Sequence, residues 1–302
     1  MKDQRQDNRL RRYLLWAFGL AWPIQCLATW FFLRGERQVY QLVLMLSMFA
    51  PLAAALLARV PVRDMGWKPR FRQNWKWLLA AWFCPALLCS LGAALYFAVF
   101  PGSFAGFKGT EAALGEAGLR QLAAQGLTVP VYFAVTLGSA VSAAPVVNVL
   151  PSLGEELGWR GVMYPLLKER FGTARGRVLG GAIWGAWHWP IMLLAGYEYG
   201  FGYWGAPVSG MLLFCLICVG LGTLFDFVYE RSRCIWLPAL AHGAFNAFAA
   251  IPVLLTAPDW SGSPLLGPLP VGILAALPFL LLAAFLLLRG GEDGVFQNIT
   301  SP

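Results

Sequence analysis

Charge is what this chain has least of. Only 13% of its 302 residues are Asp, Glu, Lys or Arg, about half the ~25% of an ordinary soluble domain, while 58% are hydrophobic. That scarcity excludes a typical soluble globular fold and points to the membrane class. Acidic residues are scarcest, 15 against 23 Lys and Arg. The resulting net charge of +8 does not read as a nucleic-acid footprint. The basic residues gather in short gaps between apolar runs, as cytoplasmic loops do under the positive-inside rule. A disulfide framework is missing too. Cys26, Cys84, Cys89, Cys215, Cys218 and Cys234 fall in or beside apolar runs, where free cysteine behaves as a small hydrophobe. Cys215 and Cys218 form one CxxC with no second pair, so no zinc site is expected from them. No small-residue cleavage site follows the first apolar run, no internal repeat is visible, and the whole chain holds two histidines.

What is present is a succession of long apolar runs. They lie near 13–33, 39–58, 77–100, 127–167, 178–196, 207–229, 235–256 and 269–288. A helix crosses a hydrocarbon core of about 30 Å with roughly 20 residues. The pattern therefore predicts an all-α polytopic fold of about eight transmembrane helices, with a buried polar site in the cytoplasmic half. The transmembrane domain covers 13–289, after a basic leader at 1–12 and before a polar tail at 290–302. Thr110–Gln125 reads as a short surface helix. The 127–167 run would be roughly 60 Å as one straight helix, too long for a bilayer. A break is expected near Pro145–Pro151. The leader, the 59–76 linker, the 168–177 loop and the 231–233 turn are basic, with Trp67, Trp75 and Trp77 marking an interface. Arg34 and Arg37 are the exception to this alternation. The expectation is a multi-pass cell-membrane protein with both termini cytoplasmic, which leaves the sequon Asn298-Ile299-Thr300 on the wrong side for glycosylation.

Against this apolar background, Glu155-Glu156-Leu157-Gly158-Trp159-Arg160 stands out. Ionisable groups at membrane depth are costly and usually functional. Glu155 lies 13 residues before Lys168, His188 lies 11 after Arg177, and His242 lies 9 after Arg233. At 1.5 Å per residue these are depths of roughly 20, 16 and 14 Å. Three segments thus carry their polar groups to similar levels, which argues for one buried, water-accessible site. Each residue also has a plainer reading. Ser152 and Glu155 fit a capping box, Glu156 and Arg160 are spaced i,i+4 for an ion pair, and His188, or His242 with Asn246, could glue helices together. Asp226 is expected to reach the membrane interface and stay outside the site.

A carboxylate in a low-dielectric site suits general-base work on a water. One histidine can share that proton, and a second with an asparagine amide can stabilise an oxyanion. No Ser, Cys or Thr is marked as a nucleophile by its neighbours, so the set points to hydrolysis by water, most plausibly of an amide. The same nitrogen and oxygen atoms could instead hold a divalent metal such as zinc, although the HExxH spacing is absent.

Glu-Glu-x-x-x-Arg at 155–160, an aromatic-x-x-x-His at 184–188 and His-x-x-x-Asn at 242–246 resemble the three motifs of the CAAX protease and bacteriocin-processing (CPBP, or Abi) intramembrane proteases, which include the Ras-converting CAAX endopeptidases. The resemblance covers about 127–250. It implies Glu155 as general base with His188 helping to activate water, and His242 and Asn246 as an oxyanion hole. Glu156 and Arg160 would support the helix, and Trp184 stands where Phe is usual, as a packing variant. It implies no required cofactor on a glutamate mechanism, or a metal on Glu155, His188 and His242 on a metal-dependent one. The implied partners are the bilayer and a peptide or protein substrate, lipidated or not, reaching the site from the cytoplasmic side. A non-catalytic immunity or scaffold protein of the same fold is the alternative. A proton-relaying transporter is a third reading, against which no pair of interrupted helices repeats in two halves.

Overall fold

The computed structural model describes residues 2–289, with side chains from Asp7 onward; the expected tail at 290–302 and its sequon lie outside the described residues. Among the described residues thirteen α-helices follow one another: α1 Lys2–Leu33, α2 Arg37–Ser47, α3 Ala50–Leu57, α4 Phe71–Val99, α5 Lys108–Ala124, α6 Val129–Val141, α7 Ala143–Gly158, α8 Tyr164–Phe171, α9 Thr173–Trp187, α10 Trp189–Ala195, α11 Val208–Ser232, α12 Trp236–Phe248 and α13 Leu277–Arg289. Among the described residues the only β feature is a bridge between Phe104 and Thr256. The protein is an all-α, multi-pass membrane protein. Its outward faces carry Leu15, Leu87, Leu212 and Leu281, all more than half exposed, as hydrocarbon contact requires.

Among the described residues six helical stretches are long and apolar enough to cross a membrane, or seven if α5 and α6, bent by 98°, count as one span. The expected eight is not reached, because α7 and α13 have only 16 and 13 residues. The expected surface helix is present as α5, with a break at Gly115, where φ is 62°.

The long fourth run breaks earlier than the prolines suggested, at Ser142 between α6 and α7. Pro145 falls in the first turn of α7, where its missing N–H has no helical partner to lose. Pro151 is carried inside the helix. A π-helical turn at Trp159–Met163 then joins α7 to α8; such turns concentrate at functional sites. Ser152 is mid-helix with its buried hydroxyl unpartnered, so it caps nothing and the capping-box reading of Glu155 fails.

The helices pack closely because small residues permit it. Gly181 and Gly185, one turn apart on α9, leave no room for a Cβ against the backbone of Val219 and Cys215 on α11. A Cβ at Gly154 would sit 2.8 Å from the Met48 carbonyl oxygen, so the α2–α3 break lies at the level of Glu155. The four basic segments meet at one end of the bundle. Ile235 donates its N–H to the Gly66 carbonyl at 3.1 Å, Asn74 Nδ2 donates to the Ser232 carbonyl at 3.0 Å, and Arg170 pairs with Asp7 of the leader.

Candidate active site

The α7–π-turn segment places Glu155 and Glu156 back to back, both buried. Glu155 Oε2 accepts hydrogen bonds from two indoles, Trp159 Nε1 at 3.0 Å and Trp184 Nε1 at 2.8 Å. Its other oxygen takes no hydrogen bond among the described residues, while Glu155 lines a cavity of about 250 Å³. Glu156 turns away from that cavity. Arg160 Nη1 lies 3.0 Å and 2.9 Å from its two oxygens, and Arg160 Nη2 donates to the Gly222 carbonyl at 3.2 Å. The expected i,i+4 pair is therefore present, and fully buried.

Glu156 has a second partner that sequence spacing did not reveal. Its Oε1 lies 2.9 Å from His242 Nδ1. With Nδ1 carrying a proton, His242 donates to the carboxylate and presents Nε2 to the cavity. The carboxylate thus orients the imidazole. Phe225 stacks on the His242 ring at 5.5 Å between centroids, and Trp184 meets it edge-on at 5.3 Å. Asn246, one turn beyond on α12, lines the same cavity and is exposed.

His188 occupies the junction of α9 and α10. Its Nδ1 lies 3.0 Å from the Trp184 carbonyl, so a proton there donates to that oxygen and leaves Nε2 to the cavity. Trp187, Phe214 and Tyr197 surround the ring at 4.7, 5.0 and 6.1 Å. Gln25 of α1 holds the junction from outside. Its Nε2 donates to the Trp187 carbonyl at 3.0 Å, and its Oε1 accepts from the Ile191 N–H at 3.4 Å.

Glu155, His188, His242 and Asn246 therefore line one cavity, with Trp184, Glu156 and Arg160 behind them. One expectation changes. Trp184 does more than pack, since its N–H holds the glutamate and a Phe has no such donor. Asp226 lies outside the cavity, at the basic end of the bundle. It is wholly buried, accepting from Lys168 Nζ at 2.7 and 2.8 Å and from Arg177 Nε at 2.8 Å. Glu230 completes that cluster, 2.6 Å from Lys168 Nζ and 2.7 Å from Arg177 Nη2. Sequence reading also passed over Trp159, although its i,i+4 spacing from Glu155 was a usable signal. Gln25, 162 residues from its Trp187 partner, left none.

Among the described residues no group of three or more His, Cys, Asp or Glu is arranged to hold a metal ion. The arrangement fits proton transfer to and from a water beside the free Glu155 oxygen.

Comparison with known proteins gives the same segment. The profile of Rce1-like proteins, type II CAAX prenyl endopeptidases, matches residues 137–248. A protein called CAAX prenyl protease 2 from Methanococcus maripaludis is 35% identical over 85 residues, which is 28% of this chain and 31% of that relative's length. The chain thus aligns with about a third of the curated relative. The matched stretch contains Glu155, His188, His242 and Asn246, and it is similar to the Rce1-like family.

Proposed function

We propose that the protein is an intramembrane endopeptidase, in which Glu155 activates a water for attack on a peptide bond. The observation that carries this reading is the asymmetry of the Glu155 carboxylate. Trp159 and Trp184 anchor one oxygen, and the other is left to a cavity shared with both histidines of the chain. A base held in this way takes a proton from water without having to reorganise. His188 Nε2 orients the water. As the carbonyl becomes tetrahedral, its oxyanion is met by the Asn246 amide and by His242, whose ring Glu156 holds in place. Glu155 then returns its proton to the departing amine nitrogen, and the carbon–nitrogen bond breaks.

The substrate class is a peptide or protein segment at the membrane. The relative's name supports a prenylated CAAX terminus, and a bacteriocin-type or other membrane peptide is the competing class. The four basic segments at one end of the bundle support cytoplasmic placement of that end and of the N-terminus.

The test is cleavage of quenched peptides, prenylated and unmodified, by the purified protein in liposomes. Wild type, Glu155→Gln and His242→Ala would be compared, with and without chelator. Cleavage that survives chelator and disappears in both variants supports the glutamate mechanism; loss in chelator turns the reading to a metal. A Glu155→Gln variant that keeps full cellular function would replace the enzyme with an immunity or scaffold protein.

A further inference from the structure

The outer face of α1 carries a groove that has no residue in common with the candidate active site. From Asp7 the residues lining it recur at positions 11, 14, 15, 18 and 22, the spacing of one helix face. It encloses about 750 Å³. Most of it is apolar and open. Leu15 is 64% exposed and Trp22 39%, the Phe18 and Trp22 rings meet edge to face at 5.4 Å, and a Cβ added at Gly19 would meet nothing within 4 Å.

An open apolar face needs no more than hydrocarbon around it, but the polar end of this groove asks for a particular partner. Arg11 of α1 and Arg170 of α8 line it beside Asp7. Arg170 pairs with Asp7, so the one carboxylate present is taken. Arg11 is exposed and joins no ion pair among the described residues. Two guanidiniums thus share one carboxylate, which leaves a positive charge at the head of an apolar channel. A guanidinium fork matches the oxygens of a phosphate.

Length narrows the occupant further. Arg11 and Trp22 are 11 residues apart, roughly 16 Å along the helix and half of a hydrocarbon core of about 30 Å. The groove therefore spans one leaflet, with its cations at the basic end of the bundle, where lipid head groups lie. A second copy of the chain suits it less. A two-fold contact uses the same patch on both subunits and would set Arg11 and Arg170 against their own duplicates.

We propose that this groove holds one anionic phospholipid, its phosphate on Arg11 and Arg170 and an acyl chain laid along Leu15, Phe18, Gly19 and Trp22. Basic pockets between transmembrane helices on the cytoplasmic side bind such head groups. The Ala17 carbonyl of the same helix accepts from Trp187 Nε1 at 3.1 Å, so the lipid braces a helix that holds the candidate active site. The lipid site stands whether or not the protein cleaves peptides.

The test is native mass spectrometry of the delipidated protein in detergent, titrated with phosphatidylglycerol, phosphatidylcholine and the chain-free head group glycerophosphoglycerol. One bound phosphatidylglycerol is expected, held about fivefold more tightly than phosphatidylcholine, with no adduct from the chain-free head group. Arg11→Gln should weaken it about fivefold. Gly19→Leu fills the groove without touching a charge and favours the helix. It should remove the adduct, and it carries the test if the arginine variant does not fold. Quenching of tryptophan fluorescence by a brominated phosphatidylglycerol should fall in Trp22→Phe. Equal binding of the two lipids overturns the site, as does phosphatidylglycerol binding that Gly19→Leu leaves unchanged. Tight binding of the chain-free head group would reduce it to a phosphate site, and a dimer that Gly19→Leu dissolves would give the groove to a second copy.

Discussion

Two groups of charge lie at different levels of the bundle, one on α8, α9 and α11 and the other on α7 and its π-helical turn. At the basic end, Lys168, Arg177, Asp226 and Glu230 balance two positive charges against two negative ones, and every one of the four has at least two close contacts to an opposite charge. One level deeper, Glu155, Glu156 and Arg160 set two carboxylates against one guanidinium. Arg160 and His242 both go to Glu156. Glu155 is left with neutral indole donors on one oxygen and a cavity at the other. Saturation separates the two groups. A network whose charges are all met, with no space beside it, holds helices together. One with an unspent carboxylate oxygen beside a cavity is equipped for proton transfer.

Substitutions in each group should break the comparison in opposite ways. The largest effect is expected from Glu155→Gln, which keeps the shape but loses the base. Peptide cleavage should fall by roughly 10²–10⁴, with the unfolding midpoint in detergent close to wild type. A large fall in that midpoint would return Glu155 to a structural role. Asp226→Ala should do the reverse. Leaving Lys168 and Arg177 without their buried partner costs on the order of 3–5 kcal/mol of stability, read as a drop in thermal midpoint, while the fraction that remains folded keeps its turnover. Equal stability would show that water reaches this cluster.

Glu156→Gln belongs to both groups, because it removes the charge partner of Arg160 and the orienting acceptor of His242. A charged hydrogen bond contributes about 1.5–3 kcal/mol, so turnover should drop about ten- to a hundredfold, together with some stability. An effect on stability alone would mean that His242 needs no orientation. Trp184→Phe sharpens the comparison further by deleting one N–H donor while keeping the ring. Loss of about 1 kcal/mol predicts a several-fold fall in turnover, and an unchanged rate would make the ring a packing element after all. Gln25→Leu should be mildest, with a two- to fivefold loss corresponding to roughly 0.5–1 kcal/mol, visible in turnover before binding if it acts through His188.

Much of the site was legible before any fold was known. The counts of 13, 11 and 9 residues from basic markers place Glu155, His188 and His242 at comparable depth because helix rise is constant. Local spacing gave Glu156 with Arg160 for the same reason. The failures have physical causes as well. Pro145 suggested a break, yet a proline in a first turn removes no hydrogen bond. Ser152 and Glu155 carry a capping-box spacing that ends up mid-helix, since α7 had already begun at Ala143. The partners of Asp226, Lys168 and Arg177, are 58 and 49 residues away, and no local spacing gave them.

Composition, the period of apolar runs and the clustering of basic residues determined by themselves that this is an all-α membrane protein with three polar motifs at one level. Those properties follow from lipid thickness, helix rise and the cost of buried charge, and each acts along the chain. Tertiary structure alone decided that Glu156, and not Glu155, takes the guanidinium and the imidazole. It also decided that two indoles fix the free glutamate and that α1 braces the His188 junction through Gln25. These choices depend on which helix faces meet, which is set by close contacts such as those of Gly154, Gly181 and Gly185, between residues that no local period relates.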